Sequence, residues 1–186
     1  MSRLGIKPIQ FSENVEIDVG SGVVKVSGPV GEVEVPLRPE VNVRVEDGKI
    51  FVGKKSNSRL ARSLHGTMRM LLANAVAGVQ EPYEKRLVME GLGYRSKIED
   101  EELVLDVGFA NQIHYRLPPS VDVSLEGNQE IVLKSPDKEA VGRAAAEIRQ
   151  IKPPEPYKGT GIRYKGEEIK RKVGKAVGVG EGFGAA

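Results

Sequence analysis

The 186-residue chain is predicted to be α+β: two tandem, duplicated domains, each a small antiparallel sheet packed by one helix, followed by a basic C-terminal extension. An internal repeat, two helical stripes of apolar residues and a charge imbalance confined to one stretch predict this. Residues Gly28 to Glu46 recur eighty positions later. Gly28 pairs with Gly108, Leu37 with Leu117, Pro39 with Pro119, Val41 with Val121, Val43 with Val123 and Glu46 with Glu126. Six identities in these nineteen positions compare with roughly one expected from average residue usage. Alternating valines would match in any β protein, but the paired Gly, Pro and Glu do not follow from alternation.

Each copy reads alike. Period-2 alternation at Val41, Val43 and Val45, and at Val121, Val123 and Leu125, makes half-buried strands. Asp47-Gly48 and Gly127-Asn128 supply the turns to the next strands. A helix follows in both copies. Ser58 caps the first, whose stripe is Leu60, Leu64, Met68, Leu71, Leu72, Ala75 and Val79. Gly78, Gln80, Glu81 and Pro82 break it near the joint. In the second copy Ser135-Pro136 offers a cap with proline at the first helical position, and Val141, Ala145, Ile148 and Ile151 form the stripe. The expected divisions are 1–82 and 83–152 for the two domains, 153–177 for the extension and 178–186 for a flexible Gly-rich tail.

The extension is where the charge concentrates. From Lys152 to Lys175 eight basic residues face three acids, a local +5. With −1 from Glu181, the overall +2 leaves −2 for residues 1–151, so the basic character is local. Between Pro154 and Glu167 two tyrosines and three glycines interrupt the cations, a stretch read as too broken for a helix or core strand. Lys158, Arg163, Lys165, Lys170, Arg171, Lys172 and Lys175 can each neutralise phosphate. Tyr157 and Tyr164 can stack on unpaired bases or pack against ribose. Gly159 and Gly161 let the backbone approach a phosphodiester. Pro153, Pro154 and Pro156 stiffen the entry. The plain alternative is a solvated basic tail with incidental tyrosines.

Other chemistries find little support. The chain has no cysteine, hence no disulfide framework and no thiol nucleophile. Gly48 to Lys55 nearly satisfies the phosphate-loop pattern, but Lys55 stands where Ser or Thr should bind magnesium, and Lys49 to Val52 reads as a strand whose amides a sheet would use. Gly180 to Ala185 fits the loose dinucleotide fingerprint with no helix after it. Neither His65, in the first helix, nor His114, in a strand, has metal-ligand spacing. His65 beside Gly66 reads as a packing or an RNA-facing position. No catalytic residue, metal or cofactor is expected, and the apolar region around Met70 to Val79 is far short of a membrane span. The opening Met1 to Gly5 lacks the apolar stretch of a signal peptide.

Several motifs, in order, resemble bacterial ribosomal protein L-six, the large-subunit protein numbered six. They are Met1 to Gly5 with Pro8-Ile9, Val26 to Glu32, Leu64-His65-Gly66-Thr67, Asn74 to Val79, Gly91-Leu92-Gly93-Tyr94-Arg95, Ala145 to Arg149, and Pro156-Tyr157-Lys158-Gly159 through Tyr164. The resemblance implies a non-enzymatic constituent of the ribosome in the cytoplasm. It implies binding to large-subunit ribosomal RNA near the translation-factor docking site, by the sarcin–ricin loop and the stalk base. Neighbouring ribosomal proteins would lie alongside and translation factors nearby, with no membrane and no small-molecule substrate involved. Carried onto this chain, it points to Tyr157, Lys158, Gly159, Gly161, Arg163, Tyr164 and Lys165, then Lys170, Arg171, Lys172 and Lys175, as RNA-facing. Gly91, Gly93, Tyr94 and Arg95 open the second domain in the family pattern, serving either RNA contact or turn geometry. Thr160 stands where the family often has a cation. The rival readings are a free-standing two-domain RNA-binding regulator and an enzyme using Gly53-Lys54.

Overall fold

The computed structural model describes residues 5–100, 102–127 and 129–174. The first unit contains β1 (Ile9–Gln10), β2 (Glu16–Val19), β3 (Val23–Ser27), β4 (Glu32–Pro36), β5 (Val41–Glu46), β6 (Lys49–Lys54) and α1 (Arg59–Gln80). The second contains β7 (Tyr83–Glu90), β8 (Arg95–Glu99), β9 (Glu102–Asp106), β10 (Ile113–Arg116), β11 (Asp122–Glu126), β12 (Glu130–Ser135) and α2 (Lys138–Ile151). A last strand, β13 (Gly161–Tyr164), follows α2.

The duplication is visible in the pairing. Strand orders β2-β3-β4 and β1-β6-β5 in the first unit recur as β8-β9-β10 and β11-β12-β7 in the second, all antiparallel. Each unit thus carries two sheets and one helix, one sheet more than the sequence suggests. The extra sheet follows from alternation too: Val24 and Val26 are fully buried on β3 while Lys25 between them points out to Glu32.

Local chemistry sets the element ends. Asp47 and Gly48 both take positive φ, 48° and 69°, which turns β5 tightly into β6 with the twist that a two-residue hairpin requires. The Ser58 hydroxyl oxygen accepts from the Ala61 amide at 3.1 Å, satisfying one of the unpaired N–H groups at the start of α1. Pro82 follows the end of that helix and prevents its continuation. At α2 the cap is Asp137, whose carboxylate accepts from the Glu139 amide at 2.8 Å, and not Ser135. Ser135 is buried: its hydroxyl donates to the Ser120 carbonyl and accepts from the Asp137 amide, so it ties the strand end to the cap.

Two cores result. Val24, Val26, Val41, Ile50, Met68, Leu72 and Val79 centre the first; Leu87, Met89, Leu103, Leu105, Ile131, Leu133 and Ile148 centre the second. The units also touch each other. An added side-chain carbon at Gly78, near the end of α1, would lie 1.9 Å from the Pro136 carbonyl oxygen, so only glycine allows this approach. Tyr83 donates to the Asn74 carbonyl at 3.1 Å, and the Lys138 ammonium lies 5.4 Å from the centre of the Tyr83 ring.

The segment after α2 departs from expectation. Residues 161–164, read as too broken for a core strand, form β13, which pairs antiparallel with β7 and adds a fourth strand to that sheet. Ile162 is completely buried in the second core, which outweighs the weak strand propensity of its glycine neighbour. Within the expected 153–177 extension, residues 161–164 therefore belong to a sheet of the second unit. No helix among the described residues is long and apolar enough to cross a membrane.

Candidate nucleic-acid interface

The chain leaves α2 at Lys152 and returns to the sheet through a tight loop. Glu155 donates its amide to the Thr160 carbonyl at 2.9 Å, and Gly159 its amide to the Glu155 carbonyl at 3.0 Å. Gly159 takes φ 80°. Gly161 takes φ 147°, and a side-chain carbon there would lie 2.6 Å from the Pro154 backbone. Both glycines are buried: Gly159 supplies the positive φ of the turn, and Gly161 lets the loop close on Pro153 and Pro154.

Beyond β13 the chain folds back. The Lys172 amide donates to the Pro156 carbonyl at 2.8 Å, which sets Lys170, Arg171 and Lys172 beside Tyr157 and Lys158. The nearest atom to the open side of Gly159 is a guanidinium nitrogen of Arg171. Lys158, Lys170, Arg171 and Lys172 are all exposed and make no ion pair among the described residues. Tyr157 is 53% exposed. Four uncommitted cations and one open aromatic ring thus share one surface, and a phosphate chain with unpaired bases complements that combination.

Other predicted residues are already engaged. Arg163 pairs with Glu90 and donates to the Glu167 carbonyl, and Lys165 pairs with Glu130. The Lys165 ammonium, with Arg86 nearby, holds the Glu130 carboxyl below the usual carboxylate range. Tyr164 is half-buried against the core with Lys85 and Arg149 each 5.8 Å from its ring centre, so its faces are not open for bases. Arg163, Lys165 and Tyr164 brace the loop instead of presenting charge and ring freely. Lys175 lies outside the described residues. So do Met1 to Leu4 and the Gly180 to Ala185 pattern.

The second-domain opening is also structural. A side-chain carbon at Gly91 would meet the Tyr94 ring at 2.7 Å, Gly93 turns with φ 79°, and Tyr94 is buried at 8% exposure. Only Arg95 of that group is an exposed charge. His65 is buried at 7% exposure, its Nε2 2.9 Å from the Val52 carbonyl, and its ring packs against Gly5. That excludes the RNA-facing alternative for His65. His114 is exposed near Glu102. Lys49 to Val52 lie within β6, all paired with β5 and the first two also with β1, so this stretch is a sheet strand and not a phosphate-cradling loop. No group of three or more potential metal ligands occurs among the described residues.

Sequence reasoning missed the bracing carboxylates. Glu167 receives both Nε and Nη2 of Arg149, at 3.1 and 2.6 Å, and its Oε2 accepts from the Tyr164 amide at 3.0 Å. The Arg149 guanidinium, together with that amide, holds its carboxyl below the ordinary range. The only local contact is the Tyr164 amide three residues before Glu167; Arg149 reaches Glu167 from α2, and Glu90 and Glu130 become neighbours only through strand pairing.

The family described as Ribosomal protein L6 matches residues 11–82 and again 90–165, one match for each unit. The chain belongs to this family. Large ribosomal subunit protein uL6 of Maridesulfovibrio salexigens is 43% identical over 176 residues, covering 95% of this chain and 99% of that protein. The uL6 proteins of Dictyoglomus turgidum and of Synechococcus sp. (strain JA-2-3B'a(2-13)) are 41% and 44% identical, each over 95% of this chain and 98% and 97% of their own length. As a member of the L6 family the chain is a ribosomal constituent and not an enzyme.

Proposed function

We propose that this chain binds large-subunit ribosomal RNA through the surface formed by the 155–160 loop and residues 170–172, and so fixes RNA helices near the translation-factor docking site. Relatives named as large ribosomal subunit proteins, aligned along 95% of the chain, support the assembly. The placement by the sarcin–ricin loop and stalk base rests on the resemblance of the motifs and is the finer part of the proposal. The observation that carries the RNA surface is the Lys172 amide to Pro156 carbonyl bond, which gathers four unpaired cations around Tyr157.

The mechanism is electrostatic and geometric. β13 is fixed by core burial of Ile162, the loop hangs from it, and the cations release counterions from the phosphates they meet. Little ordering remains to be done on docking, because backbone hydrogen bonds already close the loop. Replacing Lys158, Lys170, Arg171 and Lys172 with alanine should lower the salt dependence of RNA affinity by about three in logarithmic slope, at ~0.7 to 0.9 per phosphate contact. Cooperative unfolding should remain intact. An unchanged slope places the binding surface elsewhere. Crosslinking of the intact chain within the native particle tests the location, and co-sedimentation with the large subunit at moderate salt separates this reading from a free-standing regulator.

A further inference from the structure

We infer that the first unit carries a second, separate RNA-phosphate surface along one edge of α1. The inference rests on the RNA-binding reading above and assigns it a second point of contact. From Gly48 to Gln80 the chain has six cations and no acid at all, while five of the nine acids of residues 1–82, Glu13, Glu16, Asp18, Glu32 and Glu34, gather around β2 to β4; of the rest, Glu40 lies beside Lys55, whose amide donates to its carbonyl, and Glu46 and Asp47 sit at the β5–β6 turn. Taken over the first 151 residues the net charge is negative, yet the unit is polarised.

Helical geometry gathers the cations. At 3.6 residues per turn, Arg59, Arg62 and Arg69 fall within an arc of about 80°, and Gly66 lies in the same arc between them. His65, Met68 and Leu72 are buried on the adjoining face, and Arg69 is half-buried at the boundary. Arg69 donates Nε to the Lys7 carbonyl at 3.3 Å, which brings Lys7 to the same edge. Lys54 and Lys55 close β6 just before the Ser58 cap. None of Lys7, Lys54, Lys55, Arg59, Arg62 and Arg69 makes an ion pair among the described residues. In the second unit the pattern is mixed: Arg86, Lys97, Lys134, Arg143, Arg149, Arg163 and Lys165 have carboxylate partners, whereas Lys85, Arg95, Arg116 and Lys138 have none among the described residues.

Arg69 and Lys54 also serve the fold, through the Lys7 carbonyl and the Asn57 side chain, but no such bond is made by the Arg59 and Arg62 side chains among the described residues. Arg59 and Arg62 sit in the first turn of α1, where the helix dipole favours acids and where none is found. From Arg59 to Arg69 the edge runs ~15 Å, a length over which duplex nucleic acid carries about nine phosphate charges. A polyanion of regular charge spacing therefore complements the edge, and in a ribosomal protein that polyanion is RNA.

The experiment uses the full chain and a full-length transcript of large-subunit ribosomal RNA. Lys55→Gln, Arg59→Gln and Arg62→Gln are combined, since these exposed side chains hold nothing in the fold, and circular dichroism verifies the structure. The triple variant should lose about two to three in the logarithmic salt slope, and R59K with R62K should keep it. The tail variant of the previous section is measured alongside. A wild-type slope in the folded triple variant overturns the inference, whatever the tail variant does. Normal RNA binding combined with loss of the triple variant from the assembled subunit overturns it in favour of an acidic protein partner. A tail variant with an unchanged slope, beside a triple variant with a reduced one, sinks the tail reading and leaves this surface standing.

Discussion

Glu167 is the residue on which the loop of the proposed RNA surface is braced. Its carboxylate takes two hydrogen bonds from Arg149 of α2 and one from the backbone amide of Tyr164, so it ties helix to strand across the turn at Gly166. Because the folded-state pKa is depressed by these donors, the stabilisation is fully present above the unfolded carboxyl value near 4.5 and is lost as pH falls through the lower folded value. Glu167→Gln should therefore cost about 1 to 2 kcal/mol at pH 7, the discount from a fully buried pair reflecting its partial exposure. The gap from wild type should narrow as pH falls below about 4.5. Urea midpoints at pH 7 and pH 3.5 check both statements; a gap that stays constant would show that ionisation of Glu167 is irrelevant to the brace.

At the scale of elements, β13 decides the geometry of the candidate surface. Ile162 fills the second core between Leu87, Met89 and α2, and its neighbours Gly161 and Arg163 are positioned as a consequence. Ile162→Ala should destabilise the chain by about 2 to 5 kcal/mol, the range for emptying a large apolar core position. It should also reduce RNA affinity, because the loop hangs from that strand. Chemical denaturation and filter binding, run on the same sample, distinguish this from a surface substitution, which would change binding alone. The duplicated strands were legible in the sequence because the paired Gly28 and Gly108 stand where few other residues fit, Gly28 against Val79 and Gly108 at φ 74°, and because Pro39 and Pro119 recur in matching turns. β13 was not. Three glycines and three prolines outweighed the single apolar residue, Ile162, whose burial depends on a partner strand seventy residues earlier. The capping at α2 shows a similar limit: Ser135 and Asp137 are both good caps by type, and only the strand end fixes which one faces the helix.

For the whole molecule, the two units are held in one arrangement by a contact that tolerates no side chain. Gly78→Val would force the Pro136 carbonyl away, while leaving both hydrophobic cores with all their members. The expected result is a larger radius of gyration by small-angle scattering and a split of the single unfolding transition into two. One undivided transition with unchanged dimensions would mean that the joint is not held there. The candidate site was legible in part. Lys158, Lys170, Arg171, Lys172 and Tyr157 stand out from the local charge count, whereas the engagement of Arg163 and Lys165 by Glu90 and Glu130 is a product of strand register that composition does not carry. The polarity of the first unit escaped for the opposite reason: adding the acids of β2 to β4 to the cations of α1 cancels a separation that is real in space.

The position of β13 in the chain orders events during synthesis. The edge of β7 waits uncovered, and the second interior remains open on one side, until residues made after α2 arrive to close it. Completion of that interior and appearance of the cationic loop are thus a single step. With the RNA contact proposed above, a nascent or truncated chain lacking this strand would present no such loop, and docking itself would sort finished molecules from unfinished ones.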